Sequence, residues 1–147
     1  MGKFTFRLQS LLNLKRQIED GLKNDLGKAI GEYESQKRIF NKIENEKEAF
    51  AGQINTKSRD GASIRDLQKY SKYIEVLNKK AKRQMENVKN AKDNVDRYRE
   101  KLIKASQEKK IIDKLRDKKY KEHLKEQLQK EQKINEEISS YKYIEGA

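Results

Sequence analysis

The sequence holds 147 residues, 41% of them charged and 33% hydrophobic, with a formal net charge of +12. Such apolar content excludes a thick multilayer core but suffices for a narrow seam, which needs about two apolar positions in seven. With no cysteine, disulfides, thiolate metal sites and a thiol nucleophile are excluded, and no run approaches the ~20 apolar residues of a membrane span.

The N-terminal stretch MGKFTFRLQSLL lacks the apolar core and small-residue cleavage site of a secretory signal. Phe6 stands where a myristoylation motif wants Ser or Thr. A soluble, intracellular chain is expected, and the absence of cysteine fits a reducing cytoplasm.

Proline is absent and glycine scarce, which favours long helices. High charge also favours disorder, but regular apolar spacing decides for helix. The first series runs Phe4, Leu8, Leu11, Lys15, Ile18 and Leu22, in the alternating steps of four and three that make a left-handed seam. After a stutter from Leu22 to Leu26 it continues through Ala29, Tyr33, Gln36, Phe40, Ile43, Lys47, Phe50 and Ile54. A helix over about 4–54 is predicted. Gly27 and Gly31 lie four apart on one face of it. They admit two readings, a close approach of the second helix and tolerated softness.

Gly52 and Gly61 bracket the polar stretch QINTKSRD, so the turn is placed at about 55–62. Ser63 with Asp66 resembles a capping box. The second helix, about 63–143, carries Leu67, Tyr70, Ile74, Leu77, Ala81, Met85, Val88, Ala91, Val95, Tyr98, Leu102, Ala105 and Ile112. Leu115, Tyr120, Leu124, Leu128, Ile134, Ile138 and Tyr141 extend it less regularly. The fold class expected is all-α: one domain over 1–147, a long two-helix antiparallel coiled-coil hairpin. With a short turn near residue 59, residue i should face about 118 − i. Everything after about Leu115 then forms a single-helix C-terminal overhang of ~30 residues, ~45 Å long. Its uncovered stripe reads either as a docking surface, with Leu124, Leu128 and Ile138 as partner-binding candidates, or as fraying.

Catalytic chemistry is not expected. His123 is the only histidine and has no second ligand at metal spacing. No Gly-rich phosphate loop occurs, and the Glu136–Glu137 pair reads as solvated charge. No catalytic, cofactor or metal residues are assigned. Residues 61–110 hold 15 basic and 7 acidic groups, densest at Lys79, Lys80, Lys82 and Arg83. This excess reads as a solvated face or as a surface for an acidic partner. The dispersal of Lys among Glu and Asp argues against nucleic acid.

The run F-T-F-R-L-Q-S-L-L-N-L-K at residues 4–15, followed by Glu19-Asp20, resembles the start of the FliJ family of flagellar type III export proteins. S-I-R-D-L-Q-K-Y-S-K-Y-I-E-V-L at residues 63–77 resembles the start of that family's second helix. The resemblance implies an antiparallel coiled coil similar to the central stalk of rotary ATPases. It implies three kinds of partner: the export ATPase hexamer, the cytoplasmic region of the export gate, and export chaperones. The protein would be cytoplasmic, peripheral to the membrane through protein partners only. By analogy the joined helix ends and overhang would face the ATPase ring, and the turn end the gate. Ile43, Phe50, Tyr73 and Leu77 match the family's gate-facing strip, whereas Glu46, Lys80 and Gln84 do not supply its apolar surface. Ile43, Phe50 and Leu77 also fit the seam. The alternatives are a stalk subunit of a rotary or virulence-type secretion ATPase, and a generic basic coiled-coil scaffold.

Overall fold

The computed structural model describes residues 2–146. They form two long helices, α1 (Gln9–Arg59) and α2 (Ile64–Glu145), which pack antiparallel: Gln36 meets Gln84, and Glu46 meets Tyr73. No strand occurs among the described residues. The all-α two-helix hairpin is the fold expected.

The turn is shorter and later than the expected 55–62. Gly61, at φ +87°, closes α1 in the left-handed conformation that glycine adopts without steric cost. Ala62 N–H donates to Lys57 O at 3.0 Å and Gly61 N–H to Ser58 O at 3.4 Å, the paired bonds of a Schellman C-cap. The Ser63 Oγ then accepts from the Asp66 N–H at 3.2 Å, so the expected cap opens α2.

The contacts divide the chain into two compact units, Leu22–Leu102 and the pair of stretches Met1–Gly21 and Ile103–Ala147. In the first, the predicted α1 series is at least half-buried throughout, and Leu77, Ala81, Ala91 and Val95 of α2 are buried. Met85 is an exception, 50% exposed, and Gln84 is buried in its place. Its amide donates to the Gln36 side chain at 2.6 Å and to the Gln36 carbonyl at 3.0 Å. A methionine there would make neither bond, a loss of about 0.5–1.5 kcal/mol for each. With Gln84 in the seam, Ala81, Gln84 and Val88 keep steps of three and four, where Met85 would give two successive steps of four after Leu77. Gly27 and Gly31 point toward open space, so the close-approach reading does not hold.

In the second unit α1 begins at Gln9 rather than at residue 4, and residues 2–6 run as extended chain along α2. The F-T-F-R alternation explains this: a period of two is that of extended chain. Phe6 is buried and Phe4 half-buried, while Thr5 and Arg7 are exposed. Phe6 packs with Leu12 and Ile112, and this cluster sets the rotation of α1. Leu12, Lys15 and Glu19 therefore face α2, and the expected seam residues Leu8, Leu11 and Ile18 are 38%, 38% and 42% exposed. Glu19 is buried and pairs with Lys109 at 3.1 Å. Pairing in this unit lies five to eleven positions beyond the 118 − i rule: Lys15 with Glu108, Gln9 with Arg116, Glu19 with Lys109, Arg16 with Asp113. Near the turn, Glu46–Tyr73 and Gln36–Gln84 lie one and two positions beyond the same rule, so the later turn accounts for little of this offset.

Candidate docking surfaces

Near the turn, four residues of the expected gate-facing strip occupy two environments. Ile43 and Leu77 are 6% and 2% exposed and hold the seam. A fully buried Leu contributes roughly 1.5–3 kcal/mol to folding. Phe50 is half-buried and carries the two tyrosines above it, with ring centroids 5.3 Å from Tyr70 and 4.5 Å from Tyr73. Tyr73 is exposed, and its hydroxyl donates to the Glu46 carboxylate at 2.8 Å. That hydrogen bond, helped by the carboxylate's charge, holds the Tyr73 pKa above its ordinary value. Lys57 lies 4.8 Å over the Tyr70 ring and bonds the Tyr70 hydroxyl, which raises the Lys57 pKa.

One residue was missed by the sequence pattern. Val76, 57% exposed, stands three residues beyond Tyr73 on the outer face of α2. A β-branched apolar residue off the seam, among Lys69, Lys72, Lys79 and Lys80, was the available signal. Of the neighbours thought not to supply apolar surface, Gln84 is buried.

In the other unit the extended N-terminal segment covers part of the expected overhang. The Phe4 ring packs edge-on against Tyr120 at 5.2 Å and tilted against His123 at 5.5 Å. The Gly2 carbonyl lies 3.2 Å from the His123 Nε2 and accepts from the Gln127 amide at 3.4 Å. Extended chain rises about 3.3 Å per residue against 1.5 Å for helix, so a few residues cover α2 as far as Gln127. The bare stretch is therefore 128–145, shorter than expected. Leu124, Leu128 and Ile138 are 44%, 66% and 49% exposed. Ile134, Ile138 and Tyr141, at steps of four and three, continue the face that Gln127 turns toward the N-terminal segment.

Among the described residues no group of three or more His, Asp or Glu is placed to hold a metal ion. No described helix is long and apolar enough to cross a membrane. The arrangement offers surfaces for other helices: apolar and aromatic side chains framed by charge.

Comparison with known proteins gives two positive findings. The model of the family described as flagellar FliJ protein matches residues 4–147. A solved structure of a YscO homolog from Chlamydia trachomatis is similar in fold, with 21% identity, a TM-score of 0.59 and 94% of each chain covered. No curated protein sequence matches.

Proposed function

Because the chain belongs to the flagellar FliJ family, whose members are in general non-catalytic proteins of type III export, we propose that it is the stalk and chaperone-escort component of a flagellar export apparatus. The joined helix ends and the overhang, with Leu124, Leu128 and Ile138, engage the export ATPase hexamer. The turn end engages the cytoplasmic region of the export gate. There the contact surface is Tyr73 and Val76, with Phe50 behind them, and Ile43 and Leu77 hold the seam beneath. Export chaperones dock on the same protein, which sits at the membrane through protein partners only.

The observation that carries this reading is the family match over nearly the whole chain. The exposed apolar side chains at both ends support it, since such surfaces mark interaction sites. The mechanism is coupling by differential binding. An asymmetric hairpin inside a six-fold ring contacts successive subunits differently and so biases their conformations. The test is turnover and assembly of the cognate ATPase with and without this protein. Stimulation is expected, with a several-fold loss in Leu128→Glu/Ile138→Glu. Tyr73→Ala/Val76→Glu should keep the stimulation but lose co-purification with the gate's cytoplasmic region. Unchanged turnover and ring assembly on adding the wild-type protein would sink the proposal.

A further inference from the structure

Residues 2–6 lie along α2 as a strap whose two ends are held unequally. Phe6 is the fixed end. Its ring is buried against Leu12 and Ile112, and its carbonyl accepts from the Gln9 N–H at 3.1 Å, at the start of α1. The other end is held by less. The half-buried Phe4 ring sits between Tyr120, His123 and Arg116, whose Cζ lies 5.8 Å from the ring centroid. Such ring and cation–π contacts are individually modest. Lys3 and Thr5 are exposed. The α2 backbone groups are spent within the helix, so they offer extended chain no ladder. Among the described residues no backbone bond ties 2–5 to α2. The polar ties are the two at the Gly2 carbonyl, to His123 and Gln127. Each ordered residue costs backbone entropy, and a segment with so few contacts belongs to the least stable part of a fold.

What the strap covers gives this unequal hold a use. Arg116, Tyr120 and His123, which seat Phe4, are spaced four and three apart. Ile134, Ile138 and Tyr141 repeat that spacing 18 residues later, about five turns and 27 Å along α2. A whole number of turns puts both triplets on one line of an unbroken helix. The far triplet is bare, 54%, 49% and 64% exposed, and Tyr120 stays 46% exposed even beneath Phe4. The line is therefore one stripe, with the strap over its near end.

We propose that the strap competes in cis for this stripe: residues 2–5 swing away about Phe6 when the export ATPase hexamer docks, and a partner side chain takes the seat of Phe4. Closed, the overhang offers only the stretch beyond Gln127. Open, the stripe runs from Arg116 to Tyr141. A guanidinium and two rings around one seat select an aromatic side chain, so the displacing residue is aromatic. The inference rests on the assignment of the overhang, with Ile138, to the ATPase ring. It adds a threshold to that contact, because apparent affinity scales with the fraction of chains whose strap is open.

The chain has no tryptophan, so Phe4→Trp supplies a single reporter. Its emission should move to longer wavelength as the cognate ATPase hexamer is added and the indole leaves its seat for water. Phe4→Ala should bind the hexamer about three- to tenfold more tightly than wild type, with helical circular dichroism unchanged because Phe6 is kept. A Cβ on Gly2 would lie 3.4 Å from the Gln127 side chain, and no native cysteine competes. Gly2→Cys/Gln127→Cys, joined by a short thiol cross-linker, should therefore bind at least about tenfold more weakly than the same variant left unjoined. Equal binding by all of these, with unmoved tryptophan emission, overturns the strap and leaves the ATPase assignment standing. Weaker binding by Phe4→Ala also overturns it, since Phe4 would then belong to the docking surface rather than cover it. Failure of wild type and Phe4→Ala alike to bind the hexamer overturns the ATPase assignment first, and the competition with it.

Discussion

Glu19 is a buried carboxylate, tolerated there through its ionic and hydrogen-bonded contacts, of which Lys109 is one. A carboxylate taken out of water is stable only while paired and hydrogen-bonded. Lys109 supplies charge at 3.1 Å and is itself a quarter exposed. Lys109→Ala should therefore destabilise the fold by about 1–3 kcal/mol. Glu19→Leu should be neutral or stabilise by about 1 kcal/mol, because an apolar residue of similar volume needs no partner there. Urea unfolding of both variants checks this, and a larger loss in Glu19→Leu would reverse the assignment. Tyr73 makes a pH-dependent contribution of definite sign. The bond to Glu46 requires the neutral phenol, so the folded pKa is raised. The stabilisation is complete below the ordinary tyrosine pKa of about 10 and is lost as pH rises through the folded value. Near-UV titration, as the difference between wild type and Tyr73→Phe, should give a midpoint above the ordinary one. Glu46→Gln should return it toward the ordinary value.

At the scale of the element, α1 and α2 differed in how well spacing revealed them. The α2 seam was legible from Leu67 to Ile112 but for one position, where Gln84 displaced Met85. Apolar counting cannot see that substitution, because an amide enters a core only when another polar group awaits it, as Gln36 does. The start of α1 was harder. It carries two stripes at helical spacing, Leu8, Leu11 and Ile18 on one side and Leu12, Lys15 and Glu19 on the other. Local pattern favours the apolar stripe. The choice falls the other way because Phe6, Leu12 and Ile112 come together across more than 100 positions of sequence. The alternation of Phe4 and Phe6 with Thr5 and Arg7 was a legible sign of extended chain, overridden by continuity with the helix after it. Gly27 and Gly31 illustrate the reverse case, a local cost with no tertiary return. A Cβ at either would meet nothing within 4 Å. Gly27→Ala and Gly31→Ala should each stabilise the protein by about 0.5–1 kcal/mol, read as a higher urea midpoint at unchanged slope. A destabilised alanine variant would mean that these sites serve something besides the hairpin.

For the whole molecule, fold class was legible because a narrow seam is all that this composition can bury, and two helices with one Schellman-capped turn are the simplest way to bury it. The candidate surfaces were only partly legible. Ile43 and Leu77 carried both a seam and a surface reading, and burial puts them in the seam. The exposure of Val76, Leu14 and Ile111 was not foreseen. What faces outward follows from the rotation of each helix against its partner, and no single-helix pattern specifies that. Charge was visible throughout, and its effect on association is screened over a Debye length of about 8–10 Å in physiological salt.

The turn at Gly61 also orders the assembly of the chain in time. Contacts beside it join residues 13 and 27 apart, those around Gln84 join residues 48 apart, and those at the chain ends join residues 90 to 125 apart. Closing a loop costs more entropy as it lengthens, and distant pairings form more slowly. The hairpin should therefore close like a zipper drawn from the turn, each pairing shortening the loop still open for the next. The N-terminal strap of Phe4 and Phe6 fastens last and releases first. During synthesis, α1 emerges complete before any of its partner exists, so its apolar side chains wait exposed until α2 follows.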